Sequence, residues 1–174
     1  RRTQELQGQA MKLATLNTLA ETVSRSLNLD EILHSALGKV LELLPLRAGW
    51  IVLRSGERES GLGPEVRLAA SRGLPQDLAL AQCQCAWQQS LCAEVMQTGC
   101  PRVCREMYEH DCPVAEYLRR EGLTFRTCIP VKAKDRVLGV MSLAADGSGG
   151  AEGISEDSLE TLMAIGQQIG IAVE

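Results

Sequence analysis

The clearest pattern of hydrophobic and polar positions lies in residues 125–144, where two apolar runs flank a short charged stretch. The stretch between them, residues 132–136, is too polar to lie anywhere but in an exposed turn. The pattern therefore predicts a β-hairpin with a loop of about three to five residues. In the second run the alternating residues on both sides of the strand are mostly apolar. Such a strand is typical of the middle of a sheet that is covered on both faces.

The first part of the chain has the spacing of a long amphipathic helix. Over residues 1–27, apolar residues recur at heptad, three- and four-residue spacings, along a seam formed by Leu6, Leu13, Leu16, Ala20, Val23 and Leu27. Residues 28–30 (Asn-Leu-Asp) are expected to break this helix, and Asp30 to cap a second helix over residues 30–44 that Pro45 stops. Because the first turns have little apolar surface for a core, we expect the first helix to pair with a second copy of the protein.

Shorter elements are predicted between these helices and the hairpin. The strands cover residues 50–54, 66–71 and 101–104, and the helices cover residues 91–96 and 112–120. A closing helix over residues 155–174 has Ser155 as its N-cap. Gly166 and Gly170 are expected to let this helix approach a partner helix closely.

Several stretches follow one another in a recognisable order. A strand ending in Ile129-Pro130-Val131 is followed by a basic turn, then by Val-Leu-Gly-Val-Met at residues 137–141 and by an amphipathic helix. Three flanking stretches agree with this order, namely residues 68–75, 98–103 and 165–172. Together they cover nearly the whole chain, and the chain resembles the GAF domain of bacterial sensor proteins.

The resemblance implies an α+β fold with a central five- or six-stranded antiparallel sheet. Terminal helices would cover one face, and short helices would wall a ligand cavity on the other. The GAF domain would span residues 28–174, after a signalling and dimerisation helix over residues 1–27. Such a domain binds a small ligand or registers redox state, and relays the signal through its terminal helices to an output module, here expected to be that of a sensor histidine kinase.

Composition narrows the expected partners. The 174 residues are 45% hydrophobic and 3% aromatic, and their formal net charge is -4. This balance predicts a globular domain with an aliphatic core and argues against a nucleic-acid surface. No stretch approaches the length of a membrane span and no secretion signal is visible, so we expect a cytoplasmic location without direct membrane insertion. The chain begins at Arg1 without a methionine, so we expect a piece of a longer protein.

Seven cysteines are a high and odd number for a domain of this size. Six of them cluster between residues 83 and 112, and the seventh is Cys128. Three interpretations stay open, namely small hydrophobic packing residues, ligands of a metal or iron–sulfur cluster, and a reversible redox pair. The cofactor is accordingly either absent or a cysteine-bound metal or cluster.

The position of each cysteine suggests which of them are functional. Cys92 and Cys128 fall on predicted regular elements and are assigned to core packing. The thiols on irregular segments are the candidates for metal ligation or disulfide exchange, namely Cys83, Cys85, Cys100, Cys104 and Cys112. We expect at least two of these five to lie close together, with α-carbons within about 7 Å if they form a disulfide.

Arg126 is a further candidate because it lies in a predicted strand. An arginine there is costly unless it is paired, so we expect it at the cavity or its rim. Its partner would be an acidic side chain such as Asp111 or an anionic small molecule.

The resemblance also allows some ligands and activities to be weighed. No cysteine precedes a histidine, which argues against a bilin, and the Asn-Lys-x-Asp motif of cyclic-nucleotide-binding GAF domains is absent. Free methionine sulfoxide reductases are GAF domains with pocket cysteines, and Cys112 is the position most like their nucleophile. However, Cys112 stands in an Asp-Cys-Pro context instead of their Ala-Cys-Asp, so we expect no enzymatic activity.

Overall fold

The computed structural model describes residues 2–44, 46–57, 64–75, 91–104, 113–123, 125–146 and 155–174. The chain divides into two compact units, Arg1–Ile32 and Leu33–Glu174. The predicted domain boundary after residue 27 stays a prediction. Within the described residues, no helix combines the length and the apolar composition that a membrane span needs.

The second unit is built on a five-stranded antiparallel sheet in the order β2-β1-β5-β4-β3. Its strands, in chain order, are β1 (Ala48–Glu57), β2 (Pro64–Arg72), β3 (Arg102–Cys104), β4 (Phe125–Ala133) and β5 (Arg136–Ala145). The central strand β5 has apolar residues on both sides, which explains why it is covered on both faces. The predicted α+β fold with its antiparallel sheet is confirmed.

The hairpin of β4 and β5 is tighter than predicted. Pairing continues to Ala133 and Arg136, so only Lys134 and Asp135 form the loop. Lys134 has a φ of 56°, in the left-handed region that such two-residue turns require. Polarity alone placed the whole charged stretch in the turn, whereas Lys132 and Arg136 extend the strands at their solvent end.

The first helix, α1 (Arg2–Leu43), is continuous over 42 residues. The predicted break at residues 28–30 is therefore wrong. The segment contains neither proline nor glycine, and asparagine and aspartate each disfavour a helix interior by less than about 0.7 kcal/mol relative to alanine. This small penalty does not end a helix whose following turn buries Leu33 and Leu37 completely.

The two faces of the sheet are covered by different helices. The terminal helix α4 (Glu156–Val173) packs on β4, and on the same face Leu37 of α1 reaches Gly49 of β1. On the opposite face α2 (Leu91–Thr98) and α3 (Pro113–Arg120) contribute to a core cluster that includes Trp50. The N-cap predicted for α4 is confirmed, since Ser155 Oγ accepts a hydrogen bond from the Ser158 amide at 3.2 Å.

The two glycines of α4 face the sheet and not a partner helix. A Cβ atom at Gly166 would lie 2.5 Å from the carbonyl oxygen of Pro130, and one at Gly170 would collide with the carbonyl oxygen of Lys132. The expectation that they face another helix is wrong. They let α4 lie directly on the backbone of β4, where a side chain of any size would hold the two elements apart.

Candidate functional site

Three neighbouring strands bring polar side chains together on the face covered by α2. Trp50 of β1 is paired with Ser142 of β5, and Ser142 is paired with Cys128 of β4. Residues that are directly opposite in an antiparallel sheet point to the same face, so these three side chains form one row. Arg126 lies two residues before Cys128 and therefore shares that face.

Helix α2 supplies the remaining group. Five of its eight residues are buried, and Cys92 is fully buried among them. The helix ends at Gly99, whose φ of 67° suits a left-handed cap and whose amide donates to the carbonyl oxygen of Val95 at 2.8 Å. This arrangement holds Cys92 directly over the polar row of the sheet.

The side chains of Cys92, Cys128, Ser142, Arg126 and Trp50 form a buried group that we call the thiol cluster. Cys92 Sγ lies 3.3 Å and Cys128 Sγ lies 3.4 Å from the hydroxyl oxygen of Ser142. Arg126 Nη2 donates to Cys92 Sγ at 3.3 Å. One hydroxyl group therefore touches both sulfur atoms, and a guanidinium group touches one of them.

Arg126 also packs against an aromatic ring. Its guanidinium carbon lies 5.1 Å from the centroid of the Trp50 ring, within the range of a cation–π interaction. Only 3% of Arg126 is exposed, and Trp50 is completely buried. Among the described residues, Trp50 Nε1 has no hydrogen-bond acceptor. The cluster thus holds a buried cation and a buried N–H group that can still donate.

The two thiols of the cluster differ strongly in acidity. The hydrogen bond from Cys128 is the largest cause that lowers the pKa of Cys92, to about 6, against the opposing effect of burial. The charge of Arg126 and the hydrogen bond from Ser142 lower it further. Burial, followed by the hydrogen bond and the charge of Cys92, raises the pKa of Cys128 well above its ordinary value. The cluster therefore favours ionisation of Cys92 and opposes ionisation of Cys128.

The structure describes two of the other predicted site residues, Cys100 and Cys104. Cys83, Cys85 and Cys112, together with the suggested arginine partner Asp111, lie outside the described residues. Cys100 is exposed and its thiol donates to the carbonyl oxygen of Thr98 at 3.7 Å, while Cys104 is half-buried against the core. Among the described residues, no three potential ligands come close enough together to hold a metal ion.

The sequence interpretation missed the pairing of Cys92 with Cys128. It assigned both to packing, and both are indeed buried, but they meet in a polar contact. A signal was available in the hairpin, where alternation places Arg126 and Cys128 on one face and strand pairing sets Ser142 opposite Cys128. Nothing local in the sequence indicates that Cys92, on a separate helix, joins them.

A pocket of about 160 Å³ lies on the opposite face of the sheet, between the end of α1 and the start of α4. Its walls are mainly apolar and include Val40, Leu43, Thr161 and Ile165. The ligand cavity expected on the α2 face stays a prediction, since residues 76–90 and 105–112 lie outside the described residues.

Comparison with known proteins identifies the class to which this architecture belongs. Residues 26–174 match the family model of the GAF domain, and the chain belongs to that family. It is 25% identical over 169 residues to the sensor histidine kinase YhcY of Bacillus subtilis, a match that covers 94% of this chain and 42% of YhcY. The chain thus spans less than half the length of this curated relative.

Solved structures agree on the fold. The GAF domain region of a Geobacter sulfurreducens protein superposes with a TM-score of 0.68 at 20% identity, over 88% of this chain and 97% of that one. A type II free methionine-R-sulfoxide reductase from Thermoplasma acidophilum gives a TM-score of 0.65 at 12% identity, over 86% and 94%. At these identities the likeness establishes the shared fold and leaves function to the site.

Proposed function

We propose that the chain is the sensory domain of a cytoplasmic sensor histidine kinase, which registers a small-molecule or redox signal at the thiol cluster and relays it through its terminal helices. The likeness to YhcY supports the kinase context. Because the chain corresponds to 42% of that relative, we propose that it is joined to a kinase module in the full-length protein. The buried, reduced thiols suit the cytoplasm, where thiols are kept reduced.

The observation that carries the proposal is the buried contact between Arg126 and Cys92. Removing two ionisable groups from water is expensive, and apolar residues of similar size usually stabilise a core at least as well. Ionisable groups with strongly shifted pKa values in a protein interior are enriched at functional sites. The thiol cluster has this character, with Arg126 3% exposed and the pKa of Cys92 lowered by its hydrogen bond from Cys128 and by the charge of Arg126.

Strand β4 offers a direct relay between the cluster and the terminal helix. Cys128 points to the cluster, while its neighbour Ile129 and the carbonyl of Pro130 face Gly166 of α4. Adjacent residues of a strand point to opposite faces, so a displacement of Cys128 moves the surface on which α4 lies. Because closely packed elements are not continuously deformable, such a displacement favours a discrete shift of the helix.

Replacement of the buried cation tests the proposal in the full-length protein. We expect Arg126→Gln to change the rate of autophosphorylation several-fold, because it removes the charge that stabilises the Cys92 thiolate. Arg120→Gln is the matched control, since the Arg120 side chain is 74% exposed and its ion pair with Glu116 lies at the surface. Circular dichroism and thermal melting verify folding, and Arg126→Lys keeps the charge if the glutamine variant unfolds. Folded variants with wild-type output in every condition would contradict the proposal.

A second candidate function is favoured by the same pair of thiols. Reduction of free methionine sulfoxide needs an activated thiolate and a resolving thiol, which Cys92 and Cys128 could supply. We propose a regulatory domain instead of an enzyme and expect no turnover of free methionine sulfoxide in an assay coupled to thioredoxin and its reductase. Turnover that is abolished by Cys92→Ser, but not by Cys100→Ser, would replace the sensory proposal with the reductase.

A further inference from the structure

We infer that Cys92 and Cys128 form a peroxide-reactive pair, in which a hydroperoxide oxidises Cys92 and Cys128 then closes a disulfide with it. The inference rests on the proposed sensory function and names the chemical class of its signal. It assigns the reaction to two thiols that the sequence had placed in core packing, and to none of the thiols on irregular segments.

The geometry places both sulfur atoms within reach of each other. Each lies within 3.4 Å of the same Ser142 oxygen, and the two thiols are close enough that each shifts the pKa of the other through a hydrogen bond. A disulfide requires a sulfur–sulfur distance of about 2.05 Å, so the two atoms must approach further. Cys92 lies on α2 and Cys128 on β4, so this approach draws α2 toward the strand that supports α4.

The cluster also determines which thiol reacts first. The thiolate is the nucleophilic form of cysteine, and Cys92 is the thiol of the pair that ionises more readily, because it contacts the Arg126 guanidinium and because Arg126, Ser142 and Cys128 all stabilise its charged form. Cys128 keeps its proton, since burial and the neighbouring negative charge oppose its ionisation. Cys92 is therefore the attacking residue and Cys128 the resolving residue.

The reaction runs in two balanced steps. In the first, the Cys92 thiolate attacks one oxygen of the hydroperoxide, a sulfur–oxygen bond forms, and the oxygen–oxygen bond breaks. Cys92 becomes a sulfenic acid, oxidised by two electrons, and the second oxygen leaves as hydroxide or alkoxide and takes a proton from solvent. In the second, Cys128 sulfur attacks Cys92 sulfur, a disulfide forms, and the sulfenic oxygen leaves with the Cys128 proton as water.

The polar partners suit the charge that develops in the first step. As the oxygen–oxygen bond breaks, negative charge moves from the sulfur to the leaving oxygen. Arg126 lies beside Cys92 Sγ and can follow that charge, and the buried Trp50 N–H group is a further donor on the same face. Preorganised donors of this kind lower the barrier most in a site that excludes water.

Burial limits the class of oxidant. Cys92 and Cys128 are both 0% exposed, so a reagent must enter through a local opening of the structure. A small uncharged hydroperoxide enters far more readily than a bulky charged disulfide such as oxidised glutathione. Cys100, which is exposed, provides an internal comparison within the same molecule. The pair should react first with peroxide, and Cys100 should react first with bulky reagents.

The test uses the full-length protein, reduced and handled without oxygen. Graded hydrogen peroxide is added, remaining thiols are alkylated, and disulfide-linked peptides are identified by mass spectrometry. We expect a Cys92–Cys128 linked peptide at peroxide concentrations that leave Cys100 unmodified, and its loss on treatment with dithiothreitol. In Cys128→Ser, Cys92 should instead accumulate as a sulfenic acid that dimedone traps, whereas in Cys92→Ser the Cys128 thiol should remain reduced.

Arg126 variants test the role of the cation. At pH 7 Arg126→Gln should slow Cys92 oxidation several-fold, since loss of the guanidinium charge raises the thiol pKa and lowers the fraction of thiolate. Arg126→Lys should restore part of the rate. The rate in the wild type should rise with pH, reach half of its maximum near pH 6, and level off about one pH unit higher, where Cys92 is almost fully ionised. If Arg126 had only a structural role, the Arg126→Gln variant would show the same pH profile as the wild type.

The outcomes separate this inference from the function on which it rests. The inference is overturned if Cys100 is oxidised before the pair, or if Cys92 and Cys128 stay reduced while Arg126→Gln still alters autophosphorylation, a result that leaves the sensory proposal standing. A disulfide that forms as expected without any change in autophosphorylation would support the thiol chemistry and contradict the sensory proposal.

Discussion

At the scale of single residues, the thiol cluster depends on the acidity of one buried thiol. Cys92 owes its lowered pKa to three neighbours that lie 34, 36 and 50 positions away in the chain, namely Arg126, Cys128 and Ser142. Each of these neighbours sits on the sheet, whereas Cys92 sits on a helix above it. The acidity of this thiol is therefore a property of the folded protein, and unfolding returns it to its ordinary value.

This difference predicts a pH-dependent stability. The pKa of Cys92 is about 6 when folded, against an ordinary value of 9.0, so unfolding takes up a proton between these two pH values. The free energy of unfolding contributed by Cys92 should rise with pH from about 6 to 9, by at most about 1.4 kcal/mol per unit, and should be lost below pH 6. Cys128, whose pKa is raised, acts in the opposite direction only above pH 9.

The measurement is denaturant unfolding of the reduced protein at several pH values, compared with Cys92→Ser. The difference between the free energies of unfolding of the wild type and the variant isolates the contribution of the Cys92 thiol from those of the other titrating groups. We expect this difference to increase between pH 6 and 8. Parallel profiles of the two proteins would show that Cys92 is neutral in the folded state.

At the scale of elements, α4 packs closely on β4 because two of its residues are glycines, which have no side chain. Gly166 and Gly170 face the carbonyl oxygens of Pro130 and Lys132 at distances that leave no room for a Cβ atom. The spacing of Gly166 and Gly170 was visible in the sequence. Such spacing indicates that another element packs closely against the helix, but it does not indicate which element. For this reason the sequence predicted the contact and assigned it to the wrong partner.

Gly170→Ala tests this fit. The added methyl group meets strand backbone, which cannot rotate away, so we expect the free energy of unfolding to fall by about 3 kcal/mol despite the higher helix propensity of alanine. Gln168→Ala is the matched control, because Gln168 is exposed on the same helix. Denaturant unfolding compares the two variants. Equal midpoints would mean that α4 does not rest on β4 as closely as described.

The sequence patterns predicted contacts between residues that are near each other in the chain, but not contacts between residues that are far apart in it. The pattern of apolar and polar residues within residues 125–144 was enough to predict the hairpin, because its contacts join residues that are close together in the chain. The break at residues 28–30 was wrong, since a cap residue favours a helix start without preventing a helix from continuing through it. The meeting of Cys92 with Cys128 depends on how α2 lies over the sheet, and no periodicity in either segment encodes that placement.

At the scale of the whole molecule, association of two copies remains a prediction. In the first unit Leu6, Leu13 and Leu16 are 65%, 62% and 61% exposed. Apolar side chains repeated along one side of a helix at this exposure are typical of a coiled-coil seam. We propose that a second copy of the chain covers this seam.

Charged substitutions in the seam test this association. Leu13→Glu combined with Leu16→Glu should convert a dimer to a monomer in multi-angle light scattering, because two carboxylates per chain cannot be buried in an apolar interface without partners. Gln4→Glu combined with Gln7→Glu adds the same charge on the exposed opposite side of the helix and should leave the dimer intact. A wild-type protein that is monomeric at high concentration would refute the prediction.

The short strand β3 has a consequence for how copies of the protein can meet. It pairs with β4 only from Arg126 to Cys128, so the outer edge of β4 beyond that point has no strand partner among the described residues. An open edge invites strand addition and aggregation. Here that edge carries Pro130, which has no N–H group to offer, and the charged Lys132, two features that discourage a foreign strand. This margin of the sheet is thereby protected against strand addition by a second copy.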